Sequence, residues 1–439
     1  MLMSDRRGML AYFEKNQEFV DEKIREGIEK NRKGNGRIAL IDKSGAPICG
    51  AKVKLKQRTH EFRFGANIFM LDELETAEKN ELYKKYFVEL FNMATLPFYW
   101  RDLEPVRGKP RYTKDSPKIY RRPTPDLCIE FCEKHGIEPR EHALAYEMWF
   151  PDWLCDASVE EVKRELERRY AEVSERYADK IPTIELTNEM NWETGKTSFY
   201  DSPDFIEWCF KTAEKYFPKN QLVINEEQAL CWEDRCRTSD KYYSYIEANM
   251  LKGARVDAIG MQYHLFYRRE QFAELGKLRL DPVNLYNHME LYSLLGKPLQ
   301  VTEVTVPAYG WDEVGEAVQA ELIEKLYSLW FSHPSVEQIV YWNVVDGYAH
   351  GAKPGDMSHG ENYYHGGLIR FDMTPKPSYL KLCELINERW HTELELVTNE
   401  RGEIEWRGFY GEYDLEVDGA SAGAVMLSKK NENSFEIKV

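Results

Sequence analysis

Residues 182–190 read PTIELTNEM, a stretch that predicts a short buried strand ending in polar side chains. After the proline, successive residues alternate between two faces, and the stretch closes with Asn188 and Glu189 before a methionine. Packing gives no reason for a carboxylate beside an amide at a strand end, so this pair is a candidate site. A second stretch, KPLQVTEVTVP at 297–307, carries Glu303. Two glutamates on two separate strand ends are the arrangement in which a barrel presents paired carboxylates for catalysis.

From about residue 62 to residue 390 the sequence alternates between strand-like and helix-like segments. The candidate strands are 62–68, 90–97, 137–146, 181–189, 221–227, 256–264, 298–305 and 338–346. The helices between them carry ordinary boundary signals, such as Thr124-Pro125 before one helix and Gly136 after it. Strands alternating with helices in this number predict an α/β fold, a (β/α)8 TIM barrel.

The two ends of the chain have a different character. Residues 9–33 predict a charged amphipathic helix that ends at Gly34-Asn35-Gly36. Strand-like runs follow it, and further runs with glycine and asparagine turns fill the other end of the chain. We expect a small accessory β-sandwich formed from the N- and C-terminal segments. The predicted plan is an N-terminal helix at 1–34, module strands at 35–61 and 391–439, and the catalytic barrel at 62–390.

Charge and cysteine content narrow the class of protein. The formal net charge of −16 opposes binding to nucleic acid or to an anionic membrane. The first residues, MLMSDRRGMLAYF, lack the apolar core of a secretion signal, and no run approaches a membrane span. The eight cysteines are scattered and form no CxxC pair, which fits free thiols in a reducing compartment. We therefore expect a cytoplasmic protein.

Polar side chains stand at most of the predicted strand ends. In chain order these ends carry Asn67, Leu96, His142, Asn188 with Glu189, Asn225 with Glu226 and Glu227, Gln262 with His264, Glu303, and Trp342 with Asp346. Any one of these residues could be a satisfied core residue. The whole set favours an active site, because a barrel carries its catalytic groups at the carboxyl ends of its strands.

Several short motifs resemble those of glycoside hydrolase family 10, the xylanase-type retaining enzymes. They are LEP at 103–105, PDWL at 151–154, ELTNEM at 185–190, GMQYHL at 260–265, VTEV at 301–304, WNVVDGY at 342–348 and PKPSY at 375–379. They fall within residues 62–390 in the order and spacing of the family. The resemblance implies a retaining β-glycosidase with a carbohydrate substrate, no cofactor and no metal ion.

The resemblance also implies a role for each matching residue. Glu303 would be the nucleophile, and Glu189 would be the general acid and base. The residues expected around the substrate are Asn188 at the sugar 2-hydroxyl, His142 and Trp342 at the ring in the cleavage subsite, His264 orienting Glu303, and Gln262 and Asn225 beside them.

The sequence departs from the family pattern around the substrate. Where the family has Glu-Asn-x-x-Lys-Trp, the aligned stretch is TLPFYW at 95–100, which keeps only Trp100. Tyr146 and Glu147 replace a Trp-His pair, and His350 replaces the second tryptophan over the cleavage subsite. All four residues are candidate substrate contacts, although Glu147 could equally pair with a nearby cation.

Because the catalytic motifs are kept while the substrate-reading motifs change, we expect action on short oligosaccharides or an unusual glycoside rather than on ordinary polymeric xylan. An intracellular endo-1,4-β-xylanase or xylo-oligosaccharide hydrolase is the nearest alternative. A barrel that has lost catalysis and only binds a sugar is the alternative of another class, and transglycosylation would use the same residues. The oligomeric state stays open.

The stretch GYAHGAKPGDMSHGENYYHGG at 347–367 contains three histidines among glycines. Their spacing matches no standard set of metal ligands. We expect this stretch to be a mobile lid over the cleft.

Overall fold

The computed structural model describes residues 6–192 and 195–439. In chain order its strands are β1 (Lys33–Ile41), β2 (Lys52–His60), β3 (Arg63–Asn67), β4 (Met93–Pro97), β5 (Glu138–Ala145), β6 (Thr183–Asn188), β7 (Gln221–Glu226), β8 (Ala258–His264), β9 (Leu299–Thr305), β10 (Val336–Tyr341), β11 (Glu393–Val397), β12 (Glu403–Phe409), β13 (Gly411–Val417), β14 (Ala420–Leu427) and β15 (Ser434–Lys438).

The helices lie mainly between the strands of the central sheet. They are α1 (Ala11–Lys15), α2 (Gln17–Asn31), α3 (Ala77–Leu90), α4 (Trp100–Leu103), α5 (Pro125–His135), α6 (Val159–Tyr177), α7 (Phe205–Tyr216), α8 (Gln228–Trp232), α9 (Lys241–Leu251), α10 (Phe272–Leu275), α11 (Lys277–Leu280), α12 (Pro282–Ser293), α13 (Glu313–Ser332) and α14 (Pro377–Glu384). Short 3₁₀ turns cover Arg6–Leu10, Glu147–Trp149, Asp152–Leu154 and Gly360–Tyr364, and a π turn covers Leu385–Arg389. Among the described residues, no helix is both long enough and apolar enough to cross a membrane.

Strands β3 to β10 form a closed parallel barrel, in which β10 pairs with β3 to complete the ring. This confirms the predicted α/β fold, a (β/α)8 TIM barrel. The observed strands differ from the predicted bounds by a few residues at their ends, and the last barrel strand differs most, because it ends at Tyr341 rather than at residue 346. Trp342 and Asp346 therefore lie in the loop above the barrel.

The helix boundaries follow the signals in the sequence. Pro125 opens α5, and Gly136 ends it with a φ of 65°, a left-handed conformation that glycine adopts without steric cost. The Ser158 side chain accepts a hydrogen bond from the backbone N–H of Glu161 at 3.2 Å, which caps α6. These residues fix where the two helices begin and end.

Two sheets of mainly antiparallel strands form the accessory module beside the barrel. One sheet has the order β12-β1-β15 and the other has the order β11-β2-β13-β14. Their facing side chains, including Ile38, Leu55, Trp406 and Leu427, form a hydrophobic core separate from that of the barrel. The predicted β-sandwich formed from both chain termini is confirmed.

The predicted helix end at residues 34–36 is wrong, because these residues belong to β1. A Cβ atom on Gly34 would lie 2.4 Å from the Tyr410 ring, and one on Gly36 would lie 2.4 Å from the Trp406 ring. The glycines are therefore required for the close approach of aromatic rings to a strand, and they do not end a helix. The helix ends instead at Asn31.

Candidate active site

The carboxyl ends of the barrel strands open into a cleft with a volume of about 320 Å³. Most of the predicted site residues line it, namely His142, Tyr146, Asn188, Glu189, Gln262, His264, Glu303, Trp342 and His350. The strand pairings are irregular at this level, with register shifts between His142 and Ala145 on β5 and between Gln262 and His264 on β8. Such irregularities next to a site redirect side chains toward it.

Glu189 and Glu303 share an uncommon backbone conformation. Their φ angles are 46° and 56°, in the left-handed region that residues other than glycine seldom occupy. Backbone strain of this kind is found where the surrounding structure fixes a side chain for function. Both carboxylates are therefore held in position by their own backbone as well as by their neighbours.

Glu303 accepts hydrogen bonds on both carboxylate oxygens. The Nδ2 atom of Asn225 donates to its Oε1 at 3.0 Å, and Nε2 of His264 lies 3.3 Å from its Oε2. Burial lowers the pKa of His264 to about 4, so the ring is neutral near pH 7. Its Nδ1 lies 3.0 Å from the Thr305 hydroxyl, which can donate to it and leave Nε2–H to donate to Glu303.

Glu189 is partly exposed to the cleft and is held from two sides. Gln262 donates from Nε2 to its Oε1 at 3.0 Å, and the Tyr146 hydroxyl donates to its Oε2. Burial, together with the charge of Glu303, raises the pKa of Glu189 to about 7. The hydrogen bonds from Tyr146 and Gln262 oppose that rise by stabilising the charged form.

A continuous path of hydrogen bonds joins the two glutamates. Gln262 donates to Asn188 Oδ1 at 3.2 Å as well as to Glu189, and Asn225 donates to the same oxygen at 2.8 Å as well as to Glu303. Because two donors converge on Oδ1, the orientation of the Asn188 amide is defined. Its NH₂ group is then the part of the amide that can serve a ligand in the cleft.

A buried ion network supports the floor of the site. Glu185 lies 2.5 Å from the guanidinium of Arg140 and 2.7 Å from Nδ1 of His142, and its Oε1 lies 3.1 Å from Nδ2 of Asn225. Burial alone would raise the pKa of Glu185, but His142 and Arg140 lower it below its usual range. Sequence reasoning missed this role, and the signal for it was a carboxylate in the middle of a fully buried strand.

The ligand atoms of His142, Glu185 and Glu303 all lie within 4.8 Å of one another, which is close enough to surround a metal ion. The guanidinium of Arg140 already supplies a positive charge at Glu185. A cation in the same place would face that guanidinium at short range, so the donor set does not fit a metal.

Three predicted contacts lie outside the cleft. The ring of Trp100 is buried, donates from Nε1 to Glu104 at 2.8 Å and packs edge-on against Phe150, so it faces the barrel wall. The carboxylate of Glu147 is buried and accepts from the Thr197 hydroxyl, away from the cleft. Asn225 lies beneath Glu303 and is fully buried. Trp100 and Glu147 are therefore corrected to structural positions, and Asn225 to a residue that positions other groups.

Other residues, which were not among the predicted substrate contacts, complete the cleft wall. The wall is also lined by Phe69, Tyr99, Arg121, Arg122 and Trp149. The Tyr99 hydroxyl lies 3.0 Å from Nε2 of His142, so this ring meets the site at its floor. The His350 ring packs edge-on against Trp149 at 4.8 Å and closes one end.

The loop at 347–367 lies over the cleft and contributes His350 and Glu361 to its wall. Asn362 links parts of this loop to one another, because it accepts from the Ala349 N–H at 2.9 Å and donates to Asp356 O at 2.9 Å. Whether it moves as a lid stays a prediction.

Comparison with known proteins identifies relatives of this architecture. The sequence model of the family described as "Glycosyl hydrolase family 10" matches residues 75–382. Endo-1,4-beta-xylanase 2 of Arabidopsis thaliana is 24% identical over 419 residues, which cover 94% of this chain and 34% of that protein. The chain spans about a third to a half of the length of the first curated relatives that it matches.

Solved structures resemble the barrel. Native xylanase 10B from Thermotoga maritima superimposes with a TM-score of 0.60 at 22% identity, covering 75% of this chain and 96% of that one. Xylanase 10B from Thermotoga petrophila RKU-1, solved in complex with xylobiose, gives a TM-score of 0.60 at 21% identity, covering 75% and 95%. At this level of identity the likeness shows the fold.

Proposed function

This chain belongs to glycosyl hydrolase family 10, and from that premise we propose that it is a retaining β-glycoside hydrolase that works by double displacement. One observation carries the proposal. Glu189 and Glu303 stand in strained backbone conformations at the mouth of the barrel and are joined by hydrogen bonds through Gln262, Asn188 and Asn225. Retaining glycosidases need such a pair, with one member charged and the other protonated.

In the first step the Glu303 carboxylate attacks the anomeric carbon of the substrate. A bond forms between that carbon and a Glu303 oxygen while the bond to the leaving oxygen breaks, and Glu189 gives its proton to the leaving oxygen. His264 and Asn225 hold the two Glu303 oxygens, so that the attacking carboxylate needs little rotation.

In the second step a water molecule attacks the same carbon. Glu189, now a carboxylate, takes the proton from this water, the new carbon–oxygen bond forms, and the ester bond to Glu303 breaks. Each displacement inverts the anomeric centre, so the product keeps the configuration of the substrate.

Electrostatics supports this change of role. The pKa of Glu189 is raised by burial and by the charge of Glu303, which keeps its proton in place before attack. When Glu303 becomes an ester its charge disappears, and one cause of the raised pKa disappears with it. Glu189 then stays ionised and can act as the base.

For the substrate, we propose short oligosaccharides or an unusual glycoside. The support is the composition of the cleft wall, where Tyr146 contacts Glu189 directly and His350 with Trp149 closes one end. Hydrolysis of xylan remains the alternative, since relatives of this chain are named as xylanases.

The reaction type is tested by following hydrolysis of an aryl β-glycoside with proton NMR and by trapping with a 2-deoxy-2-fluoro glycoside. We expect β-configured sugar as the first product and a covalent adduct on Glu303 in a peptide digest. An α-configured first product, or an adduct on another residue, would contradict the mechanism. Binding without turnover of any glycoside would indicate a barrel that only holds a sugar.

The substrate is tested by comparing kcat/KM on xylo-oligosaccharides, a panel of aryl β-glycosides and soluble xylan. We expect the short substrates to be cleaved faster than the polymer. Equal and high turnover of the polymer would contradict this part of the proposal.

We also propose a cytoplasmic location. Its support is that the eight cysteines of the chain are free thiols, and Cys128, Cys132, Cys209 and Cys231 among them are buried. Cell fractionation of the native producer checks this, with activity expected in the cytoplasmic fraction.

A further inference from the structure

We propose that Arg121 and Arg122, which we call the arginine pair, bind a carboxylate carried by the sugar substrate, so that the preferred substrate contains a uronic acid. This inference rests on the proposed function, because it specifies the substrate class of the same cleft. Neither arginine belongs to a motif that supported the family resemblance.

The arginine pair is built into the cleft wall. Both side chains are largely buried, at 3% and 4% exposure, yet both line the cleft. The Arg122 guanidinium lies 4.1 Å from the centre of the Tyr99 ring and 4.8 Å from that of Trp149, so it rests against two aromatic side chains. A guanidinium fixed in this way is pre-organised for a ligand.

The charge of Arg121 has only neutral partners among the described residues. Its Nη2 donates to the amide oxygen of Asn343 at 3.0 Å, and its Nη1 donates to the carbonyl oxygen of Tyr348. Its Nε–H is buried without a hydrogen-bond partner in the described part of the chain. A buried cation in this condition is costly unless a counter-charge is supplied.

Arg122 shares its one counter-charge with another cation. Its Nε donates to Asp102 at 2.7 Å, and Arg101 also donates to Asp102, at 3.4 Å. Its Nη1 donates to the Arg121 carbonyl at 3.0 Å. Two guanidinium groups therefore share one carboxylate beside the cleft. The positive charge here also acts on His350, because burial and the charges of Arg122, Arg121 and Arg101 together lower the pKa of its ring to about 4.

The arginine pair lines the same cleft as the catalytic glutamates, with Tyr99 beside it in the wall. Burial raises the pKa of Tyr99 well above its ordinary value. The charges of Arg122 and Arg121 oppose this rise, and those of Glu303 and Glu189 add to it. The Arg122 guanidinium lies 4.1 Å from the centre of the Tyr99 ring, and the Tyr99 hydroxyl lies 3.0 Å from Nε2 of His142 on the cleft floor. A sugar whose anomeric carbon meets Glu303 would therefore occupy the cleft whose wall the arginine pair lines.

A carboxylate is the group that this arrangement fits best. Guanidinium groups bind planar carboxylates through two parallel hydrogen bonds, and a hydroxyl group would leave the positive charge uncompensated. The carboxylate can stand on the cleaved sugar itself or on a neighbouring or branching sugar. Arg121 also joins its own segment to the loop after β10. A purely structural role of this kind would affect all substrates equally.

The test compares two matched substrate pairs. The first is 4-nitrophenyl β-D-glucuronide against 4-nitrophenyl β-D-glucoside, which differ by a carboxylate on the cleaved sugar. The second is xylotriose with and without a glucuronic acid branch. We expect the acidic member to have the higher kcat/KM in at least one pair, by roughly 10-fold or more.

The variants are Arg121→Gln and Arg122→Gln, with Arg101→Gln as the matched control. Arg101 carries the same charge beside the same carboxylate but does not line the cleft. We expect each of the first two variants to lower the preference for the acidic member by roughly 10- to 100-fold, because charge-assisted hydrogen bonds are lost. The control is expected to keep the preference. Equal loss on the acidic and the neutral member would overturn the proposal.

Binding provides a measurement that needs neither turnover nor an arginine variant. In the Glu303→Gln protein, calorimetry compares D-glucuronate with D-glucose, and the branched with the unbranched xylotriose. Tighter binding of an acidic ligand, weakened by salt, supports the proposal even where no glycoside is cleaved. Absence of any preference for the acidic ligands overturns it and leaves the proposed hydrolysis untouched.

Discussion

The hydroxyl of Tyr146 donates a hydrogen bond to Oε2 of Glu189, on the side of the carboxylate opposite to Gln262. This contact stabilises the charged form of Glu189 and so limits the rise of its pKa. The tyrosine stands where the family pattern has a tryptophan, and it acts on the residue that we propose as the general acid. Its effect on catalysis is therefore measurable through pH.

Replacing Tyr146 by Phe should raise the pKa of Glu189 above its present value of about 7, because one contact with the charged form is lost. The alkaline limb of the kcat/KM profile should then move upward by about 1 pH unit. The profile is recorded with an aryl β-glycoside. Tyr99→Phe serves as the control, since Tyr99 contacts His142 rather than Glu189. A downward shift in Tyr146→Phe would contradict the assignment.

Replacing Glu189 by Ala should lower kcat/KM roughly 10²- to 10⁴-fold for glycosides with poor leaving groups, because proton donation is lost. Glycosides with a 2,4-dinitrophenol leaving group need no proton and should still form the covalent intermediate. Added azide should then yield the β-glycosyl azide, detected by NMR. In Glu303→Ala, azide should yield the α-glycosyl azide instead, and the reverse pattern would exchange the two roles.

Replacing Glu303 by Gln should stabilise the protein at alkaline pH. The pKa of Glu303 and that of Glu189 are each raised to about 7 from 4.5, primarily by burial. Between these values the native state binds more protons than the unfolded chain, so the free energy of unfolding falls as pH rises through this interval. Removing one of the two groups should raise the free energy of unfolding at pH 8 by about 1–3 kcal/mol.

This gain is measured by urea denaturation at pH 4.5 and pH 8. Gln in place of the exposed Glu400 is the control, and we expect it to leave the difference between the two pH values unchanged. A Glu303→Gln protein that loses as much stability as the wild type between the two pH values would show that burial of this carboxylate carries no cost.

The buried pair Lys376–Asp346 gives a prediction for stability alone. The Nζ atom lies 2.6 Å from Oδ2 of Asp346, and the two side chains are 0% and 1% exposed. Lys376→Met leaves a buried carboxylate without its counter-charge and should cost about 3–5 kcal/mol. Urea denaturation at pH 7 measures this. The double variant Lys376→Met/Asp346→Asn should recover part of the loss, and a neutral single variant would contradict the role of the pair.

The barrel could be read from the sequence because its signals are local. Each strand is a short run bounded by turn residues, and helix caps such as Ser158 and Pro125 mark the intervals. Glu189 and Glu303 were found because a carboxylate at a strand end has no packing role. The β-sandwich was found because the pattern changes at both chain ends.

Other parts of the site depend on the direction in which a side chain points, and the periodicity of the sequence does not predict that direction in short or irregular segments. Alignment placed Trp100 in the substrate groove, but α4 turns its ring toward Glu104 and Phe150. The arginine pair lies in an irregular connection between α4 and α5, where no pattern assigns a face. The glycines at 34 and 36 were interpreted as a helix end because the aromatic rings that require them, Tyr410 and Trp406, are distant in the sequence.

The accessory module interleaves the two ends of the chain, since β1 lies between β12 and β15, and β2 lies between β11 and β13. During translation β1 and β2 are made before their partner strands β11 to β15. Their hydrogen-bonding edges stay unpaired until the residues beyond 390 have been translated. Such edges invite pairing between neighbouring polypeptides. A product that terminates before residue 390 would therefore keep the edges of β1 and β2 unpaired. We expect such a product to aggregate more readily than a chain in which the strands after residue 390 cover these edges.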